Sequence, residues 1–244
     1  MGGFQTFSFG QNDEHIGNKG KRVKFEQGNI YRASFIWWTG LEDGKPDFDG
    51  DAPQFVGAPI HYIPTVGYVV NQGPEYTKIA GSPAKTRIAT VLVLWPTNKA
   101  GDVDKTKLMA GEAEVLPWVI SGDKYKNLQQ VHKEFPFGQH DITVKCDDTQ
   151  FQKLTFSPCK ESLLRKLMES DKAGEIVGKM IAAAQAIVPT IQDEVGREMT
   201  IAQIKDKLAG GTGAPVAGGG GSSSTPNAAT TGDIDDLVGD LLDD

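Results

Sequence analysis

Apolar positions recur at a strand-like period from about residue 29 to residue 156, and the period turns helical beyond residue 157. The stretch Asn29-Ile-Tyr-Arg-Ala-Ser-Phe-Ile-Trp-Trp38 is rich in β-branched and aromatic residues and stops at Thr39-Gly40, which predicts a strand. Phe55–Pro64 and Gly67–Asn71 are shorter extended pieces broken by Gly and Pro. Thr86–Trp95 is the clearest strand, ended by Pro96. Its apolar residues fall on both faces, which predicts a central position in a sheet. Glu112–Ile120 is another strand, and Pro117 within it demands an edge position or a bulge. Asp141–Cys146 and Phe151–Phe156 alternate around Asp147–Gln150 and read as a hairpin. Leu41–Ala52 and Thr97–Lys107 are charged loops.

Helical spacing enters first at Tyr125, Leu128 and Val131, which predicts a short helix over 121–133. After residue 157 it dominates. Ser157-Pro158 has the form of an N-cap with proline at the first helical position, followed by the stripe Leu163, Leu164, Leu167 and Met168. Glu175–Val188 forms a second, alanine-rich helix stopped before Pro189, and Thr200–Leu208 a third, closed by Gly210-Gly211. No internal repeat is visible. The expected class is mainly β with a helical appendage. It divides into an arm (1–20), a β domain (21–157), a helical segment (158–209) and a tail (210–244).

The tail changes the meaning of the charge. The chain has 25 Lys and Arg against 32 Asp and Glu, a formal charge of −7. Residues 210–244 hold six aspartates (Asp233, Asp235, Asp236, Asp240, Asp243 and Asp244) and no base, so what precedes them is nearly balanced. The tail opens on Gly, Ser, Thr and Pro, which cannot bury enough apolar surface to offset ordering, and is expected to be disordered. Its acidic end also carries Leu237, Leu241 and Leu242. The expectation is a tethered peptide that docks on basic partner proteins or on the chain's own basic groove.

Catalytic signatures are missing from the sequence. There is no phosphate-binding Gly-rich loop, no H-E-x-x-H and no G-x-S-x-G. Cys146 and Cys159 stand apart, without the paired ligands that a structural zinc needs. The expectation is therefore no enzyme, no cofactor and no metal. Without a basic-then-apolar leader or an apolar run near 20 residues, a soluble protein of a reducing cytoplasm is expected, with no membrane partner.

Binding chemistry is better supported. Lys19, Lys21, Arg22, Lys24 and Arg32 cluster against a single acid, Glu26, and no acid interrupts the stretch that carries Lys78, Lys85, Arg87 and Lys99. Among these lie Tyr31, Trp38, Tyr62, Tyr68, Tyr76 and Trp95. Cations that follow a phosphate backbone and rings on which unpaired bases stack are what a single-strand binder requires. Trp37 and Trp38 are adjacent and must point to opposite faces, which predicts one in the core and one on the groove.

The order of these pieces carries a resemblance. Strand Thr86–Trp95, a charged loop, a strand through Trp118, the helix with Lys124-Tyr-Lys-Asn-Leu-Gln-Gln-Val131, then Gln139–Cys146, Gln150–Phe156 and the acidic Asp233–Asp244 resemble bacteriophage single-stranded DNA-binding proteins of the T-even, helix-destabilising type. The resemblance covers residues 20–160 and the last dozen. It implies an OB-fold, a five-stranded Greek-key barrel, that coats and protects unpaired DNA in replication, recombination and repair. It further implies that the tail recruits polymerase, helicase or recombinase proteins. Two departures stand out. The Cys and His ligands of the T-even zinc site are missing, and Met1–Asn12 lacks the basic residues through which those proteins bind cooperatively. Two rivals come from other classes: an OB-type adaptor that binds only proteins, and a nuclease whose acids chelate Mg²⁺.

Overall fold

A computed structural model describes residues 22–49, 54–148, 153–170 and 173–210. The arm 1–20, with Lys19, and Lys21 beside it, lies outside the described residues, and so does the acidic tail from 211 onward with its Asp233–Asp244 peptide.

The central strand is the one the sequence marks most strongly. Strand β4 (Lys85–Leu94) pairs along its length with β5 (Glu114–Ser121) on one side. Its other side is shared: β2 (Val56–Ile63) pairs with its first half and β1 (Ile30–Phe35) with its second. Strand β3 (Gly67–Val70) extends the sheet beyond β2, while β6 (Ile142–Cys146) and β7 (Leu154–Pro158) extend it beyond β1. Every pairing is antiparallel, and the path runs β3-β2-β4-β1-β6-β7 with β5 branching from β4. The architecture is a mixed one, an open antiparallel sheet of seven strands with several helices, rather than a closed barrel of five. Pro117 sits opposite Val91 in β5, whose only named partner is β4, so the missing N–H of proline is lost on an edge.

Alternation along β4 supplies two cores. Ile88, Leu92 and Leu94 point to one face, where they meet Ala33, Phe35, Leu116, Trp118, Ile120, Ile142 and Val144. Helix α3 (Gly122–Glu134) closes that side with Leu128. Ala89, Val91 and Val93 point to the other face, against Val56, Ala58 and Ile60. That second face is covered by the C-terminal helices. Helix α4 (Leu163–Glu169) buries Leu163, Leu164 and Leu167 in it, and α5 (Gly174–Ile187) buries Ile176, Val177, Met180 and Ala184. These helices share one core with the sheet. Burial of a Leu, Val or Met side chain is worth about 1.5–3 kcal/mol each, which binds them to it firmly.

Three element boundaries differ from the sequence reading for identifiable reasons. Ser157 and Pro158 finish β7 instead of capping a helix; the cap is Ser162, whose side chain accepts from the Arg165 N–H at 3.3 Å. Helix α5 does end before Pro189, at Ile187, but a 3₁₀ turn (Val188–Thr190) accepts the proline at its start and leads on into α6 (Ile191–Val195). Two short helices, α1 (Pro74–Ala80) and α2 (Lys105–Met109), interrupt stretches that lacked periodicity. Helix α7 (Ile201–Leu208) begins at Thr200 with reciprocal bonds between Thr200 and Gln203. It packs with α1 over β2 and β3 through Ile204, Tyr76, Ile63 and Val69.

Candidate nucleic-acid interface

The covering helices stop short of the first residues of β4. There the sheet face stays open, and side-chain alternation fixes what it shows. Arg87 and Lys85 lie on the same face as Ala89 and Val91, Arg87 between Ser121 and Ala58 of the neighbouring strands and Lys85 opposite Ile60. The adjacent hairpin adds its rings at the register pair Tyr62↔Tyr68. A groove of about 420 Å³ results, lined by Arg22, Val23, Ile60, Tyr68, Lys85, Thr86, Arg87, Val119, Ile120 and Ser121.

Tyr62 and Tyr68 are the two most exposed tyrosines, at 58% and 43%. Their ring centroids are 5.2 Å apart at 58°. The Arg87 guanidinium covers the Tyr68 ring, 3.8 Å from its centroid. Burial lowers the Arg87 pKa and the nearby Arg22 adds to that, while Tyr68 and Glu194 oppose it. A guanidinium stays protonated regardless, so Arg87 is a fixed positive charge on a ring. Lys85 is exposed at the rim. Arg22 forms an ion pair with Glu194 of α6. The chain after α6 joins the β3 edge, where the Arg197 N–H donates to Tyr68 O at 3.0 Å and the Val70 N–H to Arg197 O at 2.9 Å.

Other residues singled out in the sequence go elsewhere. Trp95 is 2% exposed, and its Nε1–H donates to Ser34 Oγ at 2.8 Å, so it has no face to offer a base. Tyr76 is 6% exposed, its Oη 2.8 Å from both Gln72 Oε1 and Met199 O; burial, Glu198 and Glu75 raise its pKa. Both belong to cores, because alternation and helix packing turned them inward. Trp37 and Trp38 do point to opposite faces, yet each meets a core: Trp37 is buried on the β5 side and Trp38 half-buried against the C-terminal helices. Trp38 does not line the groove. Tyr31 is half-buried against Phe25 at 5.1 Å, and its Oη accepts from the Glu26 N–H at 3.0 Å.

Arg32 serves the interior. Its Nε donates to Asp141 Oδ2 at 2.8 Å and its Nη2 to Glu161 O at 3.1 Å. The Ser34 hydroxyl donates to Oδ1 of the same carboxylate, and the Leu163 N–H reaches Oδ2 at 3.0 Å. Burial raises the Asp141 pKa, while Arg32, Ser34 and Leu163 pull it down. This network fastens β1 and β6 to the start of α4. Lys24 and Lys78 are exposed, and neither lines the groove.

Thus Arg22, Tyr68, Lys85 and Arg87 converge on one groove with Tyr62 beside it, while Tyr31, Arg32, Trp38, Tyr76 and Trp95 do not join them. Sequence reasoning overlooked Glu194, Val119 and Ser121. Val119 and Ser121 follow from β5 register, but nothing local marks Glu194, which enters only when α6 docks on β2 and β4. Among the described residues, no group of three His, Cys, Asp or Glu is placed to hold a metal ion, and no helix is long and apolar enough to cross a membrane. No protein-family model matches the chain, and no curated protein or solved structure matches it.

Proposed function

We propose that the chain is a non-catalytic, largely sequence-independent single-stranded DNA-binding protein, of the kind that coats unpaired DNA during replication, recombination and repair. The observation that carries this reading is the open groove lined by Arg22, Lys85, Arg87 and Tyr68, with Tyr62 packed against Tyr68 beside it. Guanidinium and ammonium groups hold phosphates, and exposed rings stack on bases without regard to sequence. Specific base reading would need a set of convergent amides and carboxylates aimed at base edges, and the groove's polar lining is mainly cationic and hydroxyl.

The connectivity supports an OB-type assignment. Taken alone, β1, β4, β5, β6 and β7 form a three-strand meander, a helix (α3), and a hairpin whose first strand returns to β1. That is the order of a five-stranded OB barrel. The β5–β7 seam is left without ladder pairing among the described residues. Phe156 of β7 faces Trp118 of β5 at 5.9 Å, and Phe25 packs on Trp118 from the N-terminal side. OB domains bind oligonucleotides on the face of their second and third strands and on the loop joining the first two. Here those elements are β4, β5 and the β2–β3 hairpin, which are the ones that build the groove.

The acidic peptide Asp233–Asp244 is proposed to recruit replication or recombination proteins and to compete for the groove at low salt. The decisive experiment is fluorescence anisotropy with labelled oligo-dT and a matched duplex across a salt series. Preference for the single strand is expected, with a log–log salt slope of about −1.4, the value for about two cations on single strands, Lys85 and Arg87, since Arg22 is paired with Glu194. Equal affinity for duplex overturns the single-strand reading, and no binding at low salt favours a protein-only adaptor.

A further inference from the structure

We propose that Glu194 holds Arg22 in place of a phosphate, and that a bound strand draws the Arg22 guanidinium off this carboxylate and onto its own phosphate. The inference rests on the DNA-binding reading and concerns how the same groove selects its ligand.

Glu194 is the one acid paired into the groove's cations among the described ion pairs. A carboxylate and a phosphodiester both offer a guanidinium two oxygens that share negative charge, so either can pair with Arg22. The two partners are not equally free. Glu194 has a side chain only 17% exposed, on a helix that packs against β2, β4 and β5. The backbone beyond it is tied to Tyr68 and Val70, and a side chain at Gly196 would press on Ile60 Cγ2 at 3.1 Å. Arg22 has a side chain 43% exposed, at the mouth of the groove. Arg22 is thus the partner that can turn away to a ligand, and Glu194 stays.

Electrostatics make the pairing consequential. Without the carboxylate, Arg22 and Arg87 oppose each other, as their effect on Arg87 shows. Glu194 relieves that opposition in the empty groove, and an arriving phosphate must do the same. An isolated anion gains one contact and must displace a tethered competitor. A strand already held at Lys85 and Arg87 delivers its next phosphate at high local concentration. Glu194 therefore sets a preference for polymers over mononucleotides.

The test compares wild type, Glu194→Gln, Arg22→Ala and the double variant, using labelled oligo-dT of about 16 nucleotides and competing dTMP. Glu194→Gln is expected to bind the oligomer about threefold to fivefold tighter at low salt, the scale of one exposed ion pair. Its salt slope should steepen by about 0.7, one added cation, and dTMP should compete better. In the Arg22→Ala background the gain should shrink to a small remainder, because Glu194 then acts on Arg87 alone. Unchanged affinity and slope in Glu194→Gln, or a gain that survives undiminished without Arg22, overturns the proposal. In the wild type, whatever the variants' stability, the Arg22 Nε–H NMR resonance must shift with oligo-dT and return with salt; a stationary resonance overturns it too. If wild type binds no oligomer at all, it is the DNA-binding reading that fails instead.

Discussion

The Arg87 guanidinium lies 3.8 Å from the centroid of the Tyr68 ring, and Tyr68 in turn leans on Tyr62. One face of Tyr68 is therefore already occupied by a cation. Tyr62, the more exposed ring, keeps the more open face, with Tyr68 and Arg87 behind it.

The first prediction separates these rings from the buried ones. Tyr62→Ala should weaken oligo-dT binding by about 1–3 kcal/mol, the loss of one stacked base, while Tyr62→Phe keeps most of it. Trp95→Phe removes a buried hydrogen bond to Ser34 and should lower the urea midpoint without changing affinity more than about twofold, since a lost hydrogen bond costs about 1 kcal/mol of stability. Anisotropy and urea unfolding on the same samples check both.

Cation placement gives a second. Lys85 opens β4 and Lys99 lies beyond its other end, and only Lys85 lines the groove. Lys85→Ala should flatten the salt slope by about 0.7, and Lys99→Ala should leave it alone. Equal effects would mean that binding follows overall charge instead of this groove.

A third concerns the buried pair. Arg32→Met leaves Asp141 uncompensated in the core, which should cost about 3–5 kcal/mol at pH 8. Losing Arg32 removes the largest influence holding the Asp141 pKa down, so the folded-state value rises further above the unfolded one. Stability from such a group is full below the unfolded pKa and is lost as pH rises through the folded pKa. The variant should therefore recover relative to wild type between pH 8 and pH 5, read from urea midpoints at each pH.

The thiols give a fourth. Cys146 is fully buried, and burial pushes the half-buried Cys159 thiol up to about 11, with Asp141 adding to this and Arg32 opposing it. Neither should react appreciably with a disulfide reagent at pH 8 while folded, because the thiolate is the nucleophile. Both should react in guanidinium.

Glycine positions give a fifth. Gly40 and Gly44 both hold positive φ, but a Cβ at Gly40 would sit 2.3 Å from Lys45 O, while Gly44 faces open space. Gly44→Ala should cost about 1 kcal/mol, and Gly40→Ala distinctly more, measured by thermal unfolding.

Strand identity was fixed locally. The two-sided apolar run of Thr86–Trp95 made β4 central, Pro117 put β5 on an edge, and Tyr125, Leu128 and Val131 marked the helix now seen as α3. The rule that adjacent residues face apart correctly split Trp37 from Trp38. These follow because backbone sterics and side-chain period act within a few residues. Which face meets solvent is another matter. It depended on α5 and α6 packing on β4 while leaving its first residues bare, a choice made by packing between segments far apart in the chain. That choice sealed Trp95, drew Arg32 to Asp141 and left Tyr62 and Tyr68 outside. It also brought Glu194 to Arg22, a pairing no local pattern encodes, because burial and charge contact belong to the folded surface and not to the chain.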